Sequence, residues 1–227
     1  MPEKRALVFA NGPQIDLEAV RGLIQPGDYR IAVDGGLHHL HRLGLEPDLL
    51  IGDLDSLEPG EVEALINTPV RIERHPAHKD ETDLELAVFA ALREGCTTIL
   101  IVGALGGRLD MTLATIFLLG LPELSGIDAR LEDGREEVFL IQPVSERYPR
   151  GRPVDGTPGD AVSLLPLGGP AGGIRTTGLY YPLRGETLYP ERTRGVSNVM
   201  VESQAQVSIE TGQLICIHTR QSLDGEK

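Results

Sequence analysis

Two acidic clusters carry most of the chemistry in this chain. One is Gly52-Asp53-Leu54-Asp55-Ser56, at the end of the apolar run Leu49–Ile51; the other is Lys79-Asp80-Glu81-Thr82-Asp83. If the backbone stays extended past Ile51, residues i and i+2 point to one side, and the carboxylates of Asp53 and Asp55 converge. At about 5 Å two carboxylates repel by roughly 3 kcal/mol at an effective dielectric near 20, so the pair needs a cation or a proton. A hard divalent ion that takes oxygen ligands and bridges substrate phosphates meets that need. Lys79 adds a second signal. Of 21 Lys and Arg residues only Lys4, Lys79 and Lys227 are lysine, which leaves Lys79 as the single lysine away from the chain ends. Its compact ammonium suits phosphate oxygens where a planar guanidinium fits less well.

These residues need a scaffold, and the first half of the chain supplies an alternating one. Arg5–Ala10, Tyr29–Val33, Leu49–Ile51, Val70–Glu73 and Thr97–Val102 read as strands. Helical spacing follows in Leu37–Leu43, Glu61–Asn67, Thr82–Glu94 and Met111–Leu119, with Thr82-x-x-Glu85 as a capping signal. The order predicts a doubly wound, mostly parallel α/β domain over residues 1–125. Asn11-Gly12, Asp34-Gly35-Gly36, Asp53/Asp55 and Gly103–Asp110 each follow the carboxyl end of a strand, the edge where open α/β sheets bind ligands. Gly103-x-x-Gly106-Gly107-Arg108 can bring backbone amides to an anion, with Arg108 as a clamp on its oxygens. Asp110 has a second reading as the N-cap of the helix that follows.

After Glu123 the texture changes to short β segments separated by Gly and Pro. These are Ala129–Glu132, Val138–Ile141, Ala161–Leu165, Gly173–Leu179, Glu186–Tyr189, Val199–Glu202, Gln206–Glu210 and Leu214–His218. They predict a small all-β sandwich over residues 126–227, with Pro143–Pro158 as a surface connection.

Composition removes several classes of function. A net charge of −13 and a pI near 4.9 argue against a surface that wraps nucleic acid. No apolar run approaches a membrane span. Met1–Arg5 leads straight into a strand without a signal-peptide core, and Cys96 and Cys216 are too few for a disulfide framework. A cytoplasmic protein is expected. His38, His39, His41, His75 and His78 do not complete a closed zinc set, and the first three read as a polar helix surface. Neither a Walker loop nor a dinucleotide fingerprint is present.

Taken jointly and in order, these motifs resemble the thiamine pyrophosphokinase (thiamine diphosphokinase) family. The match rests on Asp34-Gly35-Gly36, Pro47-Asp48, Gly52-Asp53-x-Asp55-Ser56, Lys79-Asp80-x-Thr82-Asp83, Gly103-x-x-Gly106-Gly107-Arg108-x-Asp110, Gly178-Leu179-x-Tyr181-Pro182-Leu183 and Gly195-x-Ser197-Asn198. The resemblance implies transfer of the pyrophosphoryl group of ATP to the hydroxyl of thiamine. It also implies an α/β catalytic domain before a β-sandwich, in a homodimer with its active sites at the subunit interface. By that likeness Asp53, Asp55 and Asp83 hold Mg²⁺, with Asp34 and Asp80 close by. Asn11, Lys79, Arg108 and Asp110 fall on the ATP side, Tyr181, Ser197 and Asn198 on the thiamine side. The position after Asp110, often polar in the family, is Met111 here.

Two other readings compete. Asp53-Leu54-Asp55-Ser56 mimics the D-x-D signature of phosphatases with an aspartyl nucleophile. A non-catalytic nucleotide sensor on the same scaffold is the other.

Overall fold

A computed structural model of the chain describes residues 3–13 and 15–221. It divides into two compact units, Met1–Gly134 and Arg135–Lys227.

In the first unit six strands form a parallel sheet in the order β6-β5-β1-β2-β3-β4. They are β1 Arg5–Phe9, β2 Tyr29–Val33, β3 Leu49–Gly52, β4 Arg71–Arg74, β5 Thr98–Val102 and β6 Asp128–Glu132. Strands β1, β3 and β5 are apolar almost throughout and nearly all buried, as a parallel sheet covered on both faces requires. Helix α2 (Gly36–Arg42) packs on β1 and β2, and α4 (Asp83–Arg93) on β1, β2 and β3. Helix α4 starts where its sequence says it should: Thr82 Oγ1 accepts the Glu85 amide at 3.2 Å. The remaining helices are α1 (Leu17–Arg21), α3 (Pro59–Ile66) and α5 (Leu109–Leu118). From β1 the chain steps one way to β2, β3 and β4, whereas β5 and β6 lie on the other side of β1. The junction of β1 and β5 is therefore the topological switch point, and the crevice at its carboxyl edge is where a ligand is expected.

The second unit is a β-sandwich. One sheet runs β12-β9-β14-β7 and the other β11-β10-β13-β8, with antiparallel neighbours in both. The strands are β7 Glu136–Ile141, β8 Arg152–Asp155, β9 Ala161–Pro166, β10 Ala171–Thr177, β11 Arg184–Leu188, β12 Asn198–Val199, β13 Gln204–Ser208 and β14 Leu214–Thr219. Phe139, Val154, Leu164, Ile174, Leu188, Val207 and Cys216 pool the inward faces of both sheets in one core.

Several local expectations are corrected. Segment 143–158 is not all surface connection, because it contains β8, paired with β13. Strand β6, which reads in sequence with the later β segments, pairs in parallel with β5. The segment expected at Val199–Glu202 shrinks to the two residues of β12. Helix α5 begins at Leu109, so Asp110 lies in its first turn and is not its N-cap.

Candidate functional site

At the switch point the walls are mainly backbone. Ala10 donates to Val102 O at 2.8 Å, and Gly12 to Gly103 O at 2.7 Å, so the loop after β1 extends the ladder into the loop after β5. The approach leaves no room for side chains: a Cβ on Gly12 would sit 2.1 Å from Gly103 O, and one on Gly103 2.7 Å from Ala10 O. Thr112 Oγ1 donates to Gly106 O at 2.9 Å and fixes the far side of the glycine loop. These loops, with Asp34, Thr82 and Asp83, enclose a cavity of about 280 Å³, with Arg108 and Met111 also in its wall and Thr115 buried beside it.

The acids enter from two strand ends, β2 and β3, and the start of α4. Asp34, just past β2, adopts a left-handed backbone (φ 47°), which a short polar residue tolerates better than most. Its Oδ1 accepts the Leu54 amide at 2.9 Å. A Cβ on Gly52 would lie 1.9 Å from that same oxygen, so glycine is what lets the Asp34 carboxylate cross the end of β3. Burial first, then the negative charges of Asp83, Asp53 and Asp55, push the Asp34 carboxyl up to about 6 against the pull of the Leu54 amide. The four carboxylates thus share one field.

Asp53 and Asp55 do not meet by strand alternation, however. Strand β3 ends at Gly52, and Leu54 turns left-handed (φ 66°) to bury its side chain in the core and give its amide to Asp34. Asp55 folds back so that its amide donates to Asp53 Oδ1 at 3.0 Å.

Asp83 opens α4 from its first position, and its buried Oδ1 has no hydrogen-bond donor. Lys79 Nζ stands 2.8 Å from that oxygen as an ion-pair contact and donates to Pro76 O at 3.0 Å. The chain's one internal lysine is therefore gathered into the acidic cluster, with a side chain only 11% exposed. Asn11 packs against Gly35 and lines the cavity; Asp80 is exposed and lies outside its lining. Arg108 reaches across α5's first turn to Asp110 in a two-pronged contact of 3.1 and 2.6 Å, both side chains in solvent.

Among the described residues no group of three or more His, Cys, Asp or Glu side chains is preset to hold a metal ion alone. The donors nevertheless fit Mg²⁺. That ion takes oxygen ligands, and typically one or two carboxylates with water and substrate phosphates complete its shell. The charges of Asp83, Asp53 and Asp55 add to burial in raising the Asp34 carboxyl, and that repulsion is what a cation would relieve.

His39 corrects the reading of α2. It is buried, not part of a polar surface, and its Nε2 meets Gly12 O at 3.1 Å beneath the β1 loop. Burial holds its imidazole below the usual histidine range. The signal was available, since Gly36, His39, Leu40 and Leu43 share one helical face. His38 and His41 do face solvent, opposite Glu61 and Glu46.

The sandwich holds a second, larger cavity of about 630 Å³, lined by Tyr181, Arg184, Glu186, Arg194, Val196 and Asn198 among others. Asn198 secures the aromatic turn: its Oδ1 accepts the Tyr181 amide at 3.0 Å, and its Nδ2 donates to Tyr181 O at 2.7 Å. Tyr180 and Tyr181 stand exposed with their rings edge to face, centroids 4.8 Å apart. Ser197 is left-handed (φ 57°), and its amide donates to Ser163 Oγ at 3.0 Å. Glu186 accepts the Arg184 amide in a short contact and pairs with Arg194 at 3.1 Å; these donors keep its carboxyl below the usual range.

A switch-point cavity walled by loop amides, the Asp34 and Asp83 carboxylates and Arg108, with Lys79 ion-paired to Asp83, has the make-up of α/β sites that handle phosphate groups. The comparisons identify the family within that class. The model of the thiamin pyrophosphokinase catalytic domain matches residues 20–129, and that of the thiamin pyrophosphokinase vitamin B1 binding domain matches residues 152–216. The chain belongs to the thiamine pyrophosphokinase family. It is 27% identical over 220 residues to thiamine pyrophosphokinase of Bacillus subtilis, covering 93% of this chain and 97% of that protein. It is also 27% identical over 186 residues to thiamine pyrophosphokinase 1 of Oryza sativa subsp. japonica, covering 79% and 69%. The crystal structure of the Bacillus subtilis thiamine pyrophosphokinase superposes with a TM-score of 0.84 at 27% identity, over 96% of this chain and 100% of that one. A thiamin pyrophosphokinase family protein from Enterococcus faecalis gives 0.79 at 27% identity, over 97% and 100%. These comparisons give no support to an aspartyl-nucleophile phosphatase.

Proposed function

We propose that this chain is an ATP-dependent thiamine diphosphokinase. The thiamine hydroxyl oxygen attacks the β-phosphorus of ATP and gives up its proton to solvent, the bond from that phosphorus to the α–β bridging oxygen breaks, and thiamine diphosphate and AMP leave. The observation that carries the reading is the pairing, in family order, of an acidic phosphate-type cavity with a separate vitamin B1 binding match.

Phosphoryl-type transfer asks a protein chiefly for alignment and charge stabilisation. Asp53, Asp55 and Asp83 would hold Mg²⁺, which when bound neutralises and aligns the β- and γ-phosphates. Asp34 tightens that set by fixing the Leu54 turn. Asp80, on the loop between Lys79 and α4, adds negative charge at the mouth. Lys79 exchanges part of its contact with Asp83 for a phosphate oxygen, and the exposed Arg108 leaves its surface pair with Asp110 for another. Asn11 and the glycine-loop amides fix the ATP side. In the sandwich, Tyr181 offers a π face and Glu186 a carboxylate to the cationic thiazolium of thiamine, with Asn198 in the same rim and Ser197 in the turn between the lining residues Val196 and Asn198.

We further propose a homodimer with its active sites at the subunit interface and a cytoplasmic location. No helix among the described residues is long and apolar enough to cross a membrane. Specific activity should then fall on dilution through the dissociation range; full turnover by a species that light scattering shows to be monomeric would remove the shared-site proposal. For the reaction itself, chromatography of products from ATP, Mg²⁺ and thiamine should give AMP and thiamine diphosphate in equal amounts. Hydrolysis of ATP that ignores thiamine would overturn it.

A further inference from the structure

Within the sandwich core, His218 of β14 is fully buried, yet carboxylates flank its ring. Nε2 lies 2.9 Å from Asp160 Oδ2 and Nδ1 3.6 Å from Glu137 Oε2. The charged groups facing the ring are Asp160 from the turn before β9, Glu137 from β7 and Arg220 beyond β14, whose Nη2 is 3.9 Å from Glu137 Oε2. The Asp160 carboxylate also accepts the amides of Thr157 at 2.8 Å and Gln221 at 2.9 Å. The site is closed: a Cβ on Gly156 would lie 2.7 Å from His218 Nε2, 2.8 Å from Asp160 Oδ2 and 2.8 Å from Met200 Sδ.

Met200 connects this buried pair to the cavity. Its amide donates to Asp160 O at 2.8 Å, and its carbonyl accepts from the Gly159 amide at 2.8 Å. The two residues before it form β12, where Val199 O accepts the Tyr180 amide at 2.8 Å and the Asn198 side chain grips both backbone groups of Tyr181. Every step from His218 to the Tyr181 turn is a hydrogen bond or a peptide bond.

We infer that the His218–Asp160 pair positions the Tyr181-bearing rim of the sandwich cavity, which makes His218 a positioning residue for the thiamine half of the reaction. The inference rests on the proposed placement of thiamine beside Tyr181. It goes beyond a packing role because the pair carries charge. Burial lowers the proton affinity of His218, but the nearby Glu137 carboxylate and the hydrogen bond with Asp160 outweigh it and hold the ring above the usual histidine range. Burial raises the Asp160 carboxyl, but the Gln221 and Thr157 amides and His218 outweigh that and hold it low. For the raised histidine, the stabilisation is complete below the ordinary histidine value and is lost as pH rises through the folded value. For the lowered aspartate, it is present above the ordinary carboxyl value and is lost only as pH falls through the folded one. The rim is therefore anchored at mildly acidic pH and released toward alkaline pH.

The test uses the whole protein from about pH 6 to about pH 9. With ATP saturating, KM for thiamine should rise about 3- to 10-fold as His218 loses its proton, at the midpoint that histidine NMR gives for His218, while KM for ATP stays flat. His218→Gln, a neutral donor to Asp160, should show the raised thiamine KM at every pH, with kcat within about 2-fold of the parent. A thiamine KM in His218→Gln that matches the parent at every pH would overturn the inference. So would a kinetic midpoint unrelated to the NMR one, which needs no variant to fold. Hydrogen-exchange protection at the Tyr180 and Tyr181 amides, corrected for intrinsic pH dependence and measured without substrate, should drop about 10-fold across the same midpoint. Failure to form thiamine diphosphate would remove the functional reading alone, whereas flat protection would remove the positioning role alone.

Discussion

The cavity at the end of the parallel sheet and the cavity in the sandwich are built from different materials. Around the first, carbonyls and amides of the β1 and β5 loops touch directly, and Gly12, Gly52 and Gly103 sit where any Cβ would collide. Around the second, side chains make the walls, and one of them, Asn198, holds the turn that presents an exposed Tyr181. A backbone wall sets the position of charge to a fraction of an ångström and tolerates almost no change, which suits a reaction governed by alignment at phosphorus. A side-chain wall adapts to a flat heteroaromatic ligand and yields gradually to substitution. Damage at the first cavity should therefore appear mainly in turnover, and damage at the second mainly in thiamine affinity.

The sharpest break in that contrast is at the acids. Asp55→Asn should lower kcat by about 10³-fold or more with thiamine KM little changed, because an amide replaces a carboxylate that would hold the cation. Wild-type turnover in this variant at saturating Mg²⁺ would remove Asp55 from the ligand set.

The next effect concerns stability. Asp34 titrates near 6 in the folded chain against an ordinary value of 3.8, so the native state binds the extra proton between these limits. Metal-free stability should fall by about 1–2 kcal/mol as pH rises from about 4 to about 6, since solvent screens part of the field at this half-buried carboxyl, and added Mg²⁺ should oppose the loss. Urea unfolding across this range checks it: Asp34→Asn should flatten the profile, and an unchanged slope would show that the repulsion lies elsewhere.

At Lys79 the expected loss is smaller. Lys79→Met should reduce kcat/KM for ATP by about 10- to 150-fold, the worth of one charge-assisted contact, and leave KM for thiamine near the parent value. Lys79→Arg should recover only part, since the guanidinium is longer and bonds in a fixed fork. Equal losses toward both substrates would make Lys79 a support for the Asp83 loop instead.

The mildest is Tyr181→Ala, expected to raise KM for thiamine about 10-fold through lost ring contact, with kcat and Mg²⁺ dependence preserved. Steady-state kinetics with thiamine varied would register it. A kcat collapse here would erase the contrast between the two cavities.

The same contrast governs what the sequence revealed. Strands β2, β3 and β5 were legible because each is a short apolar-rich run ended by Gly or Asp, and the carboxyl-edge residues follow from that order. The Leu54 turn was not, since alternation predicts an extended Asp53–Asp55 pair. Only the three-dimensional need to bury Leu54 and satisfy Asp34 turns the backbone left-handed there. His39 was misread because charge and polarity outweighed its place on the apolar face of α2. Helix α1 has five residues, too few for periodicity to register. Strand β8, Arg-Pro-Val-Asp, has almost no strand signature and exists because β13 pairs with it. The family motifs pointed to Tyr181, Ser197 and Asn198, but the two hydrogen bonds between Asn198 and Tyr181 depend on strand pairings remote in sequence.

Pyrophosphoryl transfer differs from phosphoryl transfer in which phosphorus of ATP is attacked. ATP labelled with ³²P at the β position, incubated with this protein, Mg²⁺ and thiamine, resolves it in one chromatogram. The label should move entirely into thiamine diphosphate and leave AMP unlabelled; β-label retained in ADP, beside unlabelled thiamine monophosphate, would contradict pyrophosphoryl transfer.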